Sequence, residues 1–145
     1  MSVKSNSGVT VENIEDISSY GVEWEENQSS PTLTKIGSSS LHSILPIQSA
    51  MKGCVVQNGT VQYYLNPSDW SKKLDGSASR LDGQDGVVQV ETPAFYGKSS
   101  KVTRNGKIYY QVKISENYID ETWQYVPAML IDAYHPTVIR AKTSG

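Results

Sequence analysis

Two Asn-Gly dipeptides, each between runs of alternating apolar and polar residues, constrain the fold of this chain more than any other feature. Asn and Gly both tolerate a positive φ, which a type I′ turn requires at its two central positions. The sequence therefore predicts two β-hairpins whose structural turns are Asn58, Gly59, Asn105 and Gly106. The flanking runs are Cys54–Gln57 and Thr60–Leu65 at the first turn, and Lys101–Arg104 and Lys107–Ser115 at the second.

The run after the second turn shows the clearest alternation in the chain. Ile108, Tyr110, Val112 and Ile114 share one predicted face, which is typical of a sheet with one solvated side. Extended runs elsewhere bring the predicted total to seven or eight short strands, with a mobile loop over 71–86. Pro46 suits the first position of one short helix, predicted over 46–52. These elements predict a mainly β, sandwich-like fold, with α+β as the alternative.

The chain divides by composition into three predicted parts. Residues 1–19 are rich in Ser and Asn, and we expect an extended N-terminal arm that is either flexible or docked on a neighbouring subunit. Residues 20–134 form the predicted β-rich domain, whose last strands lie within 123–134 and are broken at Pro127. Residues 135–145 are expected to be a linker or the start of a further domain.

The composition bears on which partners the chain can have. Apolar residues make up 37% of the 145 residues, and nine Tyr stand beside a single Phe. Tyr suits half-buried strands and interfaces, so we expect self-association to complete the burial. A net charge of −2 argues against a nucleic-acid partner. No apolar run is long enough for membrane insertion.

The sequence gives no convincing catalytic or metal-binding pattern. Cys54 is the only cysteine, which is expected to be a buried strand residue, and His42 and His135 have no metal-ligand spacing. Asp75, Asp82 and Asp85 read as turn residues rather than as a Ca²⁺ loop. Glu91, Asp120 and Glu121 would be the candidate acids of a depolymerase, but they stand in ordinary strand and turn contexts. We therefore predict no enzymatic activity and no cofactor.

Three tryptophans are the candidate recognition residues. Trp24, Trp70 and Trp123 could each stack on a sugar ring, or each could be a core or interface residue. The sequence leaves both interpretations open.

Five segments in order resemble the N-terminal module of fibre-like virion proteins from phages that infect gut Bacteroidales. Those proteins have a Tyr-Gly-Val-Glu-Trp opening, a Thr-Arg-Ile-Gly element and a Leu-Asn-Pro-x-Asp-Trp turn, among other elements. The matching segments here are Tyr20–Trp24, Thr34–Gly37, Leu41–Ser49, Leu65–Trp70 and Gly86–Tyr96. Lys35 departs from the family's arginine, and residues 97–107 look rebuilt. The similarity extends over about residues 20–136.

This resemblance implies a structural virion protein, a head fibre or tail fibre that supports host attachment. It implies a homo-oligomer, with a trimer favoured over a dimer, that contacts other virion proteins of the capsid or tail. Its location would be the virion, after assembly in the host bacterial cytoplasm. The alternative function is a carbohydrate-binding, lectin-like module that meets a glycan on the host surface.

Overall fold

The computed structural model describes residues 11–134, and it is built mainly of antiparallel β-strands. The helices are α1 (Val11–Ser18), α2 (Ser39–Ile44) and α3 (Pro46–Ser49). The strands are β1 (Tyr20–Glu25), β2 (Thr34–Gly37), β3 (Lys52–Gln57), β4 (Thr60–Asn66), β5 (Asp69–Lys73), β6 (Val87–Thr92), β7 (Phe95–Arg104), β8 (Lys107–Ser115), β9 (Gln124–Val126) and β10 (Met129–Asp132). Strand makes up about half of the described residues, so the prediction of a mainly β fold is confirmed.

The strands form two five-stranded sheets, and each sheet belongs to its own compact unit. The first unit contains residues 11–50 and 93–128, and its strand order is β2-β1-β8-β7-β9. The second unit contains residues 51–92 and 129–134, with the order β10-β6-β3-β4-β5. The predicted boundaries at residues 20 and 134 stay predictions, and the residues from 135 onward, His135 included, lie outside the described part of the chain.

Both Asn-Gly hairpins are present where the sequence predicts them. Asn58 and Asn105 each have a φ of 52°, and the glycines that follow each have a φ of 75°. The first turn joins β3 to β4, and the second joins β7 to β8. The second hairpin is longer than predicted, because β7 begins at Phe95 and pairs with β8 along its whole length from Tyr96.

Two other strand predictions need correction. Residues 11–134 form ten strands where the sequence predicts seven or eight for the chain, and β5 occupies the start of the predicted 71–86 loop. The side chains of β5 are mostly polar and exposed, so the strand has no apolar alternation that would reveal it. Its backbone pairing with β4 forms it instead. The rest of the segment follows the prediction, with turns and bends up to Gly86.

Residues 11–18 form helix α1, so the prediction of extended structure is wrong there. The Glu15 carboxylate accepts hydrogen bonds from Lys113 at 2.6 Å and from Lys98 at 3.3 Å, which ties the helix to β8 and β7. The Ser19 hydroxyl donates to the Glu15 carbonyl at 2.6 Å, near the end of the helix. The lysines stand 83 and 98 residues further along the chain, so no local pattern indicates them.

Pro46 begins a helix as predicted, but this helix ends at Ser49, and α2 precedes it without having been predicted. The Ser38 side chain accepts a hydrogen bond from the Leu41 amide and so caps α2. Leu45, at a φ of 45°, separates the two helices. The Tyr20 hydroxyl on β1 then holds α3, because it accepts from the Ile47 amide at 3.1 Å and donates to Gln48 at 2.6 Å.

The apolar face of β8 is less buried than its alternation suggests. Val112 is 38% exposed, whereas Ser115, on the opposite face, is fully buried. The Ser115 hydroxyl donates to the carbonyls of Ser18 and Asn117, and Lys113 on the same face reaches Glu15 of α1. A hydrogen-bonded polar layer therefore replaces apolar packing on that side of the first sheet.

Valine at Gly59 or at Gly106 should destabilise the fold. A Cβ at either position would meet nothing within 4 Å, so the cost is the positive φ itself, about 1–2 kcal/mol. Gly59→Val and Gly106→Val should each lower the melting temperature by several degrees. Gly59→Asn and Gly106→Asn are the matched controls, since Asn tolerates this conformation, and both should melt closer to the native chain. Equal losses for Val and Asn would contradict a conformational cause.

The attachment of α1 should depend on pH. Burial raises the pKa of Glu15, but hydrogen bonds from Lys113 and Lys98 outweigh it and leave this pKa lowered. A lowered pKa stabilises the folded state above the unfolded value of about 4.3. This contribution is lost as the pH falls through the folded pKa.

Glu15→Gln should therefore speed hydrogen exchange of the α1 amides at pH 7, corresponding to a loss of about 1 kcal/mol. The substitution should also remove the acid-dependent part of the exchange profile. Asp16→Asn is the control, because the described ion pairs do not include Asp16. Unchanged protection of α1 in the Gln variant would show that Glu15 does not hold the helix.

Candidate functional site

Two of the three candidate tryptophans, Trp70 and Trp123, are packed against other parts of their own unit. Trp123 in the first unit is only 5% exposed, and Lys98 lies over its ring with 5.9 Å between the ammonium and the ring centroid. Trp70 on β5 packs against the second unit's core of Val55, Leu65 and Val88. Gly53 on β3 leaves space for Trp70, because a Cβ there would lie 2.7 Å from the indole ring. These positions favour packing roles for both rings.

Trp24 is the candidate that borders a surface groove, and strand register places its side chain with Tyr110 on one face of the first sheet. Trp24 pairs with Tyr110 across β1 and β8, and Tyr110 pairs with Lys101 across β8 and β7. Directly paired residues project to the same face of a sheet. The rings of Trp24 and Tyr110 lie 5.9 Å apart between centroids, with 32° between their planes.

A carboxylate and a cation hold Tyr110 beneath Trp24. The Tyr110 hydroxyl donates to Glu26 at 2.5 Å, and Lys101 forms an ion pair with the same carboxylate at 3.3 Å. The hydrogen bond from Tyr110 is the main cause of a lowered pKa at Glu26. The Lys101 ammonium also lies 5.4 Å from the centroid of the Tyr110 ring. The Tyr110 ring is therefore held by Glu26 and Lys101 as well as by its contact with Trp24.

The opposite face of the same strands carries a second charged cluster. The Glu23 carboxylate is buried, and it accepts from Arg104 at 2.7 Å and from Gln111 at 3.1 Å. The hydrogen bond from Arg104 is the largest cause of the lowered pKa of Glu23. The Arg104 guanidinium lies 4.3 Å from the centroid of the Tyr109 ring. Glu23 consequently stays ionised at neutral pH.

A groove of about 270 Å³ lies where β1 continues beyond its pairing with β2. We call it the Trp24 groove. Its lining combines the phenol side chain of Tyr109 with carboxylates, hydroxyls and one amide, and Trp24 borders it between Glu23 and Glu25 on β1. The lining residues are Glu23, Trp24 and Glu25 of β1, Gln28, Ser30 and Thr32 of the loop that follows, Thr34 of β2 and Tyr109 of β8. Such a mixture suits a ligand that has both apolar faces and hydroxyl groups.

A second groove in the first unit has a different character. It measures about 260 Å³ and lies between the face of β1 and β8 and the helices, where it is lined mostly by apolar side chains, among them Val22, Leu45, Val112 and Ile114. His42 stands beside it, with its Nε2 atom 2.8 Å from the Ile36 carbonyl and its ring edge-on to Tyr20. These contacts give His42 a role in attaching α2 to the sheet.

Two of the three carboxylates considered for catalysis make ordinary structural hydrogen bonds. Asp120 accepts from the Thr122 amide at 2.8 Å and from its hydroxyl, which is an Asx turn. Glu91, in the other unit, accepts from the Tyr64 hydroxyl at 2.9 Å. Glu121 is exposed in the turn after Asp120.

The acidic loop residues of the second unit are also engaged locally. Asp75 accepts from Ser77, Asp82 pairs with Arg80 at 3.2 Å, and Asp85 accepts from the Tyr63 hydroxyl at 2.8 Å. Within residues 11–134 no group of three or more His, Cys, Asp or Glu side chains is arranged to hold a metal ion. No helix within the same range has the length and apolar character needed to span a bilayer.

Cys54 is a fully buried strand residue of the second unit. Its thiol donates to the Gln89 carbonyl at 3.4 Å, and burial raises its pKa. A neutral, enclosed thiol is a poor nucleophile.

Comparison with protein-family models, with curated proteins and with solved structures found no match to this chain. The functional proposal therefore depends on the sequence and on the geometry of this structure.

Sequence reasoning identifies Trp24 but misses the residues that surround it. Counting outward from the Asn105-Gly106 turn pairs Arg104 with Lys107 and therefore Lys101 with Tyr110, so this part of the site could have been found. The contact between Arg104 and Glu23 could not, because 81 residues separate them. The loop that forms one wall of the groove also has no alternation or motif.

Alanine at Gly53 should destabilise the second unit. The added methyl would overlap the Trp70 ring, and relief of this overlap should cost about 1–3 kcal/mol. Urea unfolding followed by tryptophan fluorescence measures the loss. Gly97→Ala is the matched control, since its Cβ would stand 3.9 Å from the nearest atom, an ordinary contact, within another strand. A Gly53→Ala protein as stable as the control would rule out a structural role for Trp70 at this position.

Proposed function

We propose that this chain is a non-enzymatic structural protein of a bacteriophage virion, a head-fibre, tail-fibre or fibre-anchoring module that supports host attachment. The resemblance of five ordered segments to fibre-like virion proteins supports the virion assignment. The observation that carries the structural role is an exposed apolar strand at a sheet edge, β10, which offers a surface for other subunits.

Strand β10 has the properties of a pairing surface. Met129, Leu130 and Ile131 are 43%, 37% and 49% exposed, and within the described residues β10 pairs only with β6. An edge strand presents unpaired backbone donors and acceptors that another chain can use, and natural proteins usually protect such edges with charge. The exposed apolar residues of β10 do not give such protection, so they favour pairing of this edge with another chain.

The two edges of the second sheet are compatible with a ring of subunits. β10 carries Asp132, whereas β5, at the other edge, carries Lys72 and Lys73 beside a single acid, Asp69, which pairs with Lys72 at 4.0 Å. A head-to-tail contact between β10 of one subunit and β5 of the next would bring opposite charges together. Contacts of this kind close into rings when the rotation permits it. We propose a homotrimer, which also contacts other virion proteins of the capsid or tail.

The purified chain should sediment at about three times its mass of 16.0 kDa. Ile131→Lys should shift it toward the monomer, because a lysine on an edge strand opposes pairing. Leu81→Lys is the control, since Leu81 is 40% exposed in the same unit but lies outside both β10 and β5, and it should leave the oligomer intact. A monomeric native chain, or equal loss in both variants, would contradict association through β10.

The location on a particle needs a separate experiment. An antibody against this chain should label purified virions, and its position on the particle distinguishes a head fibre from a tail fibre.

Deletion of residues 1–10 tests the proposed docking arm while keeping α1 and Glu15 in place. Reduced incorporation is expected, and normal incorporation would contradict a docking role for this segment. Virions free of the protein would overturn the proposed function.

A carbohydrate-binding module is the second candidate function, and the Trp24 groove is the observation that favours it. The groove is lined by Trp24 and Tyr109 together with hydroxyl, amide and carboxylate groups of the first unit. The two functions are compatible, because an attachment protein can also bind a host glycan.

A further inference from the structure

We propose that three tyrosines at the β9 edge of the first sheet bind a neutral oligosaccharide, with sugar rings stacked on Tyr118 and Tyr125. We call Tyr96, Tyr118 and Tyr125 the tyrosine cluster. The proposal rests on the second candidate function, and it adds a contact surface that is separate from the Trp24 groove. Four features support it: the shared face of the three rings, their exposed but fixed position, the polar groups around them and the state of the nearby charges.

Strand register and one loop bring the three rings together. Tyr96 on β7 pairs directly with Tyr125 on β9, so both side chains project from the same face of the sheet. The Tyr96 ring centroid lies 5.5 Å from that of Tyr125 and 5.8 Å from that of Tyr118, which belongs to the loop after β8. Tyr109, which lines the Trp24 groove, pairs with Val102, about 20 Å from Tyr96 along a strand. The tyrosine cluster is therefore a different surface from the Trp24 groove.

The two outer rings are exposed and yet held in place. Tyr118 is 62% exposed and Tyr125 is 56% exposed, whereas Tyr96, which both of them contact, is half-buried. The Tyr118 ring meets Tyr96 edge-on at 74°, and the Tyr125 ring is tilted against it by 59°. The face of an aromatic ring carries negative charge, and the C–H groups on one side of a pyranose present a weakly positive, apolar surface. Rings that are already fixed lose little side-chain entropy when such a ligand binds.

The loop that carries Tyr118 is anchored at both of its ends. Ser115 is fully buried at the end of β8, and its hydroxyl donates to the Asn117 carbonyl at 2.8 Å and accepts from the Asn117 amide at 3.2 Å. At the other end Trp123 is only 5% exposed, and its amide donates to the Asp120 carbonyl at 3.1 Å. These contacts hold the loop on both sides of Tyr118, so the aromatic surface is preorganised for a ligand.

The polar groups at the tyrosine cluster suit sugar hydroxyls. A phenol hydroxyl both donates and accepts, as a sugar hydroxyl requires of its partner. The described hydrogen bonds of tyrosine hydroxyls belong to residues outside the cluster, which are Tyr20, Tyr63, Tyr64 and Tyr110. Apart from Tyr118, the exposed residues over 116–124 are all polar, namely Glu116, Asn117, Glu121, Thr122 and Gln124. This polar border favours a hydroxylated ligand over the apolar centre of a protein interface.

The charges next to the tyrosine cluster favour a neutral sugar. By register Lys98 and Lys113 are the described basic residues nearest Tyr96 on this face, and Glu15 engages both of them, at 3.3 Å and 2.6 Å. The exposed carboxylate of Glu121 in the loop would oppose a second negative charge. A glycan that carries carboxylates is therefore disfavoured, and a neutral one is selected.

The arrangement of the two outer rings selects an oligosaccharide over a single sugar. Tyr118 and Tyr125 each contact Tyr96, and the described aromatic contacts do not join them to each other, so they offer two separate stacking surfaces. A glycan of two or three sugars can stack on both rings at once, and the second contact then becomes an intramolecular step. A trisaccharide should consequently bind at least several-fold more tightly than a single sugar.

The test is a titration of the full chain with neutral trisaccharides, followed by calorimetry and by the ring signals of Tyr118 and Tyr125 in NMR spectra. The probes are cellotriose, maltotriose and mannotriose. Methyl glucoside and methyl mannoside are the single-sugar controls, and trigalacturonic acid is the acidic control. At least one neutral trisaccharide should shift both ring signals in a saturable way, and all three controls should bind at least several-fold more weakly.

Tyr118→Ala and Tyr125→Ala should each weaken binding about three- to tenfold, the range expected for the loss of one aromatic contact. Tyr118→Phe keeps the ring and should weaken binding less. Tyr134→Ala is the matched control, because it removes a ring that is 59% exposed in the second unit, and it should bind normally. Melting temperatures separate a lost contact from a lost fold. If Tyr125→Ala does not fold, Tyr118→Ala in the exposed loop gives the result by itself.

Three outcomes would overturn the proposal: no saturable shift at Tyr118 or Tyr125 with any neutral trisaccharide, binding of the single sugars or of trigalacturonic acid as tightly as the neutral trisaccharides, or unchanged binding in both alanine variants. Unchanged binding in those variants together with a loss in Thr34→Val would assign the glycan to the Trp24 groove and leave the second candidate function standing. Failure of every probe to bind would count against that function as well. Loss of the alanine variants from virions without glycan binding would indicate a protein partner for the tyrosine cluster. The sedimentation experiment on β10 can fail or succeed independently of the titration.

Discussion

The register of the β7–β8 hairpin is the constraint on which most of the first unit depends. A two-residue turn at Asn105-Gly106 leaves one pairing, in which Lys101 stands opposite Tyr110. Tyr110 in turn stands opposite Trp24, so one tight turn sets the partner of an aromatic residue on a strand more than 80 residues earlier. A slip by one residue would move every side chain of β8 to the other face. Trp24 would then lose Tyr110, and Glu23 would lose the hydrogen bond from Gln111.

The low apolar content of the chain has a cause within the fold. Glu23, Ser19 and Ser115 are buried polar residues of the first unit, and the Glu15 carboxylate joins two lysines on the same sheet. Hydrogen-bonded polar groups fill space that apolar side chains usually occupy. A low apolar content therefore does not require that other copies of the chain complete the core. The support for self-association comes instead from the exposed apolar residues of β10.

The sequence predicted the features that depend on neighbouring residues. The two hairpins follow from a local turn signal, and Pro46 marks a helix start because its ring fixes φ. Helix α1 depends on ion pairs between Glu15 and distant lysines, and β5 depends on pairing with β4, so neither could be read from periodicity. The site divides in the same way. Trp24 stands out as a residue type, but its surroundings come from contacts across the sheet.

The three tryptophans show why residue type alone cannot assign a binding role. Trp70 fills the space beside Gly53, and Trp123 is almost wholly enclosed, so removing either ring would leave a cavity. Trp24 instead packs against Tyr110 and is only half-buried, at a position that borders a groove. The same residue type therefore occupies two packed positions and one at the surface. The two carboxylates of β1 differ in a similar way. Glu23 is buried and paired with Arg104 at 2.7 Å, which gives it a structural role, whereas Glu25 is paired less closely with Lys107, at 3.5 Å.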